Sequence, residues 1–224
     1  MKINTLFCCC LLLFACKHKQ PAQAGEDTLV LDNIDLQLNV KQFFANPDLF
    51  KATNEIAYRA DTVREDSFED DGKIIGIQYR QVVYSSRNTP AAFNGFDCYG
   101  LSMAATLDNQ LMVIAAVIAR ITEKESAELI ASLSKKYGAC QKRTDAFMEL
   151  KYTVYTWELP DRLIQFSPIY DDEKNALSLK EDEAGNITAG DKNAHYKGHI
   201  YITNKQYKDQ TAGQMTTGDF VFYD

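Results

Sequence analysis

Between Leu101 and Gly138 the spacing of apolar positions changes twice. Leu101, Met103, Ala105 and Leu107 alternate with Ser102, Ala104, Thr106 and Asp108, which predicts a strand. Asp108-Asn109-Gln110 then reads as a tight turn. From Leu111 to Ile121 every residue except Arg120 is apolar, as in a central strand covered on both faces. Ala127, Ile130, Leu133 and Tyr137 recur at helical spacing. Thr122 with Glu125 three residues on is a capping box, because hydroxyl and carboxylate together satisfy backbone N–H groups that lack intrahelical partners. Lys135 and Lys136 suit the negative end of the helix dipole, and Gly138 supplies the exit.

Elsewhere the pattern is weaker. Leu29 to Val40 alternates loosely, as a strand or an extended cover would. Asn46-Pro47-Asp48 reads as a turn or a helix start, and Asp61 to Asp71 as a charged loop. Asp70 to Lys73 turns into a strand over Ile74 to Ser85, and Ala91 to Gly100 is a loop. After Gly138, a loop over Lys142 to Asp145 precedes strands Phe147 to Leu159 and Arg162 to Ser167, joined at Pro160-Asp161. Asp171 to Asn193 is an acidic surface loop, His199 to Thr203 a strand, Gln206 to Thr217 a loop and Asp219 to Tyr223 a terminal strand. No repeat of fixed period is present. The pattern predicts one α+β domain over residues 28–224: an antiparallel sheet with one main helix packed on one face, a β-β-α-β-β core and the acidic loop over 171–193. The face of Leu111 to Ile121 turned away from that helix then needs the N-terminal segment or a partner to cover it.

The first sixteen residues carry a resemblance. Lys2 is followed by an apolar run from Ile3 to Phe14, ending in Leu13-Phe14-Ala15-Cys16. The run is shorter than the ~20 residues needed to span a bilayer as a helix. It resembles a bacterial lipoprotein signal, in which the cysteine after a small residue is acylated and becomes the first residue of the mature chain. The resemblance implies a signal peptide over 1–15, lipid attachment at Cys16, a polar tether over 16–27 and a cell-envelope location, lipid-anchored and facing the periplasm. An ordinary secretory signal cut elsewhere, or an uncut anchor, are the alternatives.

Composition narrows the partners. Hydrophobic residues make up 46% of the chain, enough for a sizeable core, while 24 basic and 31 acidic residues give a net charge of −7. Loss of Lys2 with the leader makes the mature chain one unit more acidic. Such a chain is a poor match for nucleic acid, whose affinity comes from neutralised phosphates. Of the six cysteines, Cys8, Cys9, Cys10 and Cys16 belong to the leader, leaving Cys98 and Cys140. A disulfide between them would add about 4 kcal/mol in the chain-entropy model. The predicted helix direction instead carries Cys140 about 20 Å from Cys98 at ~1.5 Å per residue, which favours two free thiols.

Candidate chemistry is sparse. Phe96-Asp97-Cys98-Tyr99-Gly100-Leu101 is similar to the Asp-Cys-Ser-Gly-Leu motif of papain-like cell-wall endopeptidases, with Tyr99 in place of a small residue. That resemblance implies Cys98 as nucleophile and His195 or His199 as its base. The plainer reading is a structural cysteine at the head of a strand. His195 and His199 share a face, but the third histidine, His18, lies in the tether, so zinc lacks ligands. The acidic clusters Glu65-Asp66, Glu69-Asp70-Asp71, Asp171-Asp172-Glu173 and Glu181-Asp182-Glu183 do not fit an EF-hand loop and read as solvated. Tyr155 and Trp157 share one side of a strand, as a sugar-stacking platform or, the favoured reading, as core. No phosphate loop, Gly-x-Ser-x-Gly or HExxH occurs, and no cofactor is expected. The sequence thus points to a lipid-anchored envelope binding protein without catalysis, one version being an inhibitor or immunity protein. The cysteine hydrolase is the alternative.

Overall fold

Apolar side chains in both directions place the segment Leu111–Ile121 at the centre of the molecule, with ten of its eleven residues buried or partly buried and only Arg120 exposed. The computed structural model describes residues 28–45, 57–64, 72–83, 89–173, 179–181, 187–189, 194–215 and 218–223. In chain order the strands are β1 (Leu29–Val30), β2 (Ala57–Arg64), β3 (Ile74–Val83), β4 (Ala91–Phe93), β5 (Phe96–Cys98), β6 (Gly100–Ala105) and β7 (Leu111–Ile121). They continue with β8 (Gln141–Phe147), β9 (Leu150–Glu158), β10 (Arg162–Asp171), β11 (Leu179–Glu181), β12 (Ile187–Ala189) and β13 (His195–Asn204). The α-helices are α1 (Val40–Phe43), α2 (Glu123–Tyr137) and α3 (Lys208–Thr211).

Eight strands form one antiparallel sheet in the order β2-β3-β6-β7-β13-β10-β9-β8. A small sheet, β1-β4-β5, lies beside it, and β11 pairs with β12. On one face, Leu129 and Leu133 of α2 join Phe43 and Phe44 over Leu101, Met103, Ile114, Trp157, Phe166 and Ile200. Helix α2 has its full capping box: Thr122 Oγ1 accepts from Glu125 N at 3.1 Å, and the Glu125 carboxylate accepts from Thr122 N at 2.8 Å. On the opposite face the C-terminal segment lays Met215, Phe220 and Tyr223 over Met112, Val113, Ala115 and Tyr201. Burial of Met215 and Phe220 contributes roughly 1.5–3 kcal/mol each. Tyr223 also bonds: its hydroxyl accepts from Thr203 Oγ1 at 3.0 Å and lies 2.7 Å from Thr211 Oγ1.

The α+β expectation, with a β-β-α-β-β core and one main helix, is overturned. Strand accounts for 53% and helix for 21% of the structure, and the eight-stranded sheet dominates it. Several strands stand where loops were predicted. β2 overlaps the segment read as a charged loop, β4 and β5 occupy Ala91–Cys98, and β8 occupies Lys142–Asp145. These strands lie at edges or in the side sheet, where polar residues are tolerated and blunt further pairing. In the other direction, Asp219–Tyr223 is not a strand but begins in a 3-10 turn over Gly218–Phe220. The N-terminal segment covers the same face as α2, so it is the C-terminal segment that closes the second face of β7.

The predicted leader and tether over residues 1–27, Cys16 included, lie outside the described residues, as do the Asn46-Pro47-Asp48 turn and most of the predicted acidic loop between 174 and 193. Among the described residues no helix is long and apolar enough to cross a membrane.

Candidate functional site

The sheet opens at one end because two hairpins part company. β9 pairs with β10 only from Leu163 opposite Glu158 to Phe166 opposite Tyr155. Two residues further on is Pro168, which has no N–H with which to extend a ladder. Beyond that point β9 stays with β8 down to Phe147 opposite Leu150, while β10 stays with β13 up to Asp171 opposite His195. The space between the two hairpins, beneath the first half of α2, is a groove of about 410 Å³. That volume lies within the roughly 300–1,000 Å³ range of small-molecule sites.

Four tyrosines line it, of which Tyr152, on β9, is largely buried. Tyr155 stands on β9, Tyr170 on β10 and Tyr196 on β13. Tyr170 and Tyr196 are register partners, with ring centroids 5.4 Å apart and planes at 66°. Tyr170 is 53% exposed, unusual for so large an aromatic side chain. One row below, Pro168 faces Gly198, and a Cβ on Gly198 would come within 2.9 Å of the Phe166 ring, so the glycine is what lets that ring pack down on β13. Tyr155 is flanked by Lys142, whose Nζ sits 5.6 Å from the ring centroid. Thr153 and Lys151 continue the β9 bank, and Glu123, Ser126 and Ile130 form the helix side. Lys151 and Glu123 bring opposite charges to the groove. The arrangement offers flat ring faces beside hydroxyl, ammonium and carboxylate groups, suited to holding a ligand that is part apolar and part polar.

A larger hollow of about 620 Å³ lies between Asn33–Gln37 and the Pro160–Arg162 turn. It lacks aromatic walls, and Arg162 there already donates to Asp161 and to the carbonyl of Ile34 at 3.1 Å.

The residues singled out in the sequence do not assemble into a catalytic site. Cys98 is fully buried in the core on the α2 face, its thiol 3.9 Å from the Phe96 carbonyl oxygen. Burial, with the charges of Asp97 and Asp32 adding to it, pushes the thiol up to about 12, the reverse of an activated nucleophile. His199 packs on the opposite side of the sheet against Phe222, with centroids 4.6 Å apart, and burial pushes its imidazole down to about 4. His195 Nδ1 lies 3.7 Å from Glu173, which also pairs with Arg120. Asp171 bonds Lys197 at 2.6 Å and the backbone N–H of Glu173 at 2.8 Å, and the Lys197 bond holds its carboxyl below the usual range. Cys98 and Cys140 are both free. Among the described residues no three His, Cys, Asp or Glu side chains converge as metal ligands would.

Of the proposed aromatic platform, Trp157 is fully buried and donates its indole N–H to Ser134 at 3.3 Å, whereas Tyr155 reaches the groove. The sequence predicts strands over Arg162 to Ser167 and His199 to Thr203, which stop short of Tyr170 and Tyr196; the structure extends them to Asp171 and back to His195. The only available signal was Ile169-Tyr170-Asp171 continuing the alternation past the proline. No protein-family model matches this chain, and no curated protein or solved structure matches it either.

Proposed function

We propose that this chain is a lipid-anchored binding protein of the cell envelope, held to the membrane through Cys16, that engages its ligand in the tyrosine-lined groove and catalyses nothing. The observation that carries the reading is the parting of β9 from β10 at Pro168, which presents Tyr155, Tyr170 and Tyr196 around one opening. Half-exposed aromatic rings beside polar groups are what ligand sites use for contact area and orientation. The leader pattern at Leu13 to Cys16 supports the anchor. The inhibitor or immunity version, in which an acidic surface meets a basic protein, gains nothing from the groove, where Lys151 offsets Glu123.

The test has two parts. Incorporation of labelled palmitate into the full chain, lost in Cys16→Ser, reports the anchor, and equal labelling of both overturns it. A photo-crosslinking residue placed at position 151 in cells reports the groove. Capture abolished by Tyr170→Ala with folding intact supports the reading, and capture indifferent to Tyr170→Ala removes the groove from it.

A further inference from the structure

We infer that the ligand of the groove is a linear pyranose oligosaccharide joined by equatorial linkages, an assignment that rests on the groove being this chain's binding site. The chemistry of the walls argues for it. A pyranose ring with equatorial substituents has two apolar C–H faces and a belt of hydroxyls. It therefore needs flat apolar surfaces and, at right angles to them, hydrogen-bonding groups. Tyr170 and Tyr196 meet edge to face, inclined at 66° with centroids 5.4 Å apart, and the exposure of Tyr170 leaves ring area open to a ligand. Tyr155 stands across the groove on β9, so an occupant has aromatic surface on both banks. The belt of hydroxyls meets Thr153, Lys151 and Glu123.

Two further features exclude other occupants. Among the lining side chains Lys151 offsets Glu123, and with Lys142 beside Tyr155 the groove disfavours strongly basic ligands. The floor beside the tyrosine pair is Pro168, and opposite it the Phe166 ring packs down on Gly198, so that spot is filled and offers no hole for the anchor side chain of a peptide. A chain of equatorially joined rings is a flat ribbon and lies along such a floor. A chain with axial linkages coils and presents its faces in changing directions.

The full chain in detergent micelles is titrated with three tetramers: β1,4-linked N-acetylglucosamine, cellotetraose and the α1,4-linked maltotetraose. Saturation-transfer NMR reads which sugar protons touch protein, and tyrosine difference absorbance gives the affinity. At least one β-linked tetramer is expected to bind tenfold or more tightly than maltotetraose. Tyr170→Ala and Tyr196→Ala are each expected to weaken that binding about tenfold, and Tyr170→Phe to retain it, because the ring face makes the contact. Since Tyr170 is on the surface, an unchanged thermal midpoint separates lost stacking from lost folding. Equal binding of α- and β-linked tetramers, or binding unaffected by Tyr170→Ala, overturns the assignment. Absence of binding by both β-linked tetramers, together with Tyr170-dependent crosslinking from position 151 to a protein, overturns the sugar and leaves the groove. Absence of both overturns the groove itself.

Discussion

Ser167 and His199 lie opposite one another on β10 and β13, the hydroxyl fully buried without a hydrogen-bond partner among the described residues and the imidazole pressed against Phe222. The histidine is thereby held neutral, down to about 4, whereas an unfolded chain titrates near 6.5. Between those two values the unfolded chain binds the extra proton and the folded one does not, so stability rises with pH across this window. Acidification from pH 6.5 to 4 is expected to remove up to roughly 3 kcal/mol on this account. His199→Gln is expected to flatten that part of the profile. Urea denaturation at several pH values measures it, and an equal slope in the variant refutes the assignment.

Gly76 is fixed by its neighbour's backbone. A Cβ there would sit 2.2 Å from the carbonyl oxygen of Ala105, an atom held by the β3–β6 ladder. Gly76→Ala is expected to cost about 2–4 kcal/mol through forced separation of those strands. A shift of the denaturation midpoint by less than the equivalent of ~1 kcal/mol contradicts it.

Thr122→Ala removes the hydroxyl that accepts from Glu125 N, and about 1 kcal/mol is expected to go with it. The bonds from Thr122 also hold the Glu125 carboxyl below its ordinary value. The depressed value makes this contribution complete above the ordinary carboxylate range and lost as pH falls through the folded one. Helix-specific amide exchange in α2 at pH 7 and pH 3 reads both effects.

Alkylation separates the two thiols. Cys140, only partly buried, is expected to react in the folded protein. Cys98, buried and pushed up to about 12, is expected to react only on unfolding. Intact mass after iodoacetamide at pH 8 decides, and rapid labelling of Cys98 would return the hydrolase reading to the field.

Tyr223 secures the C-terminal cover. Tyr223→Ala empties its place beside Tyr201 and Phe220 and leaves Thr203 and Thr211 without their shared partner, at an expected cost of about 3–5 kcal/mol. Binding of a dye specific for exposed apolar surface is expected to rise as the cover loosens over Met112 and Val113.

The unit from β6 through α2 was readable residue by residue, because alternation, a capping box and a C-terminal glycine are signals carried within a few positions of one another. β8 was not: Lys142, Arg143, Thr144 and Asp145 are the residues of an edge strand, and in sequence they look like a loop. β2 hid in the same way behind Arg59 and Asp61, whose carboxylate accepts from Arg59 at 2.7 Å and from Arg80 of β3 at 2.8 Å. Such hidden strands shift the fold from a helix-bearing α+β domain to one dominated by its sheet. Of the groove, only Tyr155 was picked out. Its companions Tyr170 and Tyr196 meet through register across a long insertion, which no local pattern encodes.

The pairing of β7 with β13 joins Val113 to Thr203 and Ile121 to Tyr196, strands with α2 and five further strands between them in the chain. A ribosome or a membrane channel delivers a polypeptide from its N-terminus. Until β13 arrives, β7 has an open edge, and until Phe220 and Tyr223 follow, its second face is bare. Contacts this distant in sequence also make for slow folding. The central strand is therefore completed only by residues far behind it in the chain, so a chain stopped short of β13 keeps a pairing edge open on β7, and one stopped short of Phe220 keeps an apolar face that invites other chains.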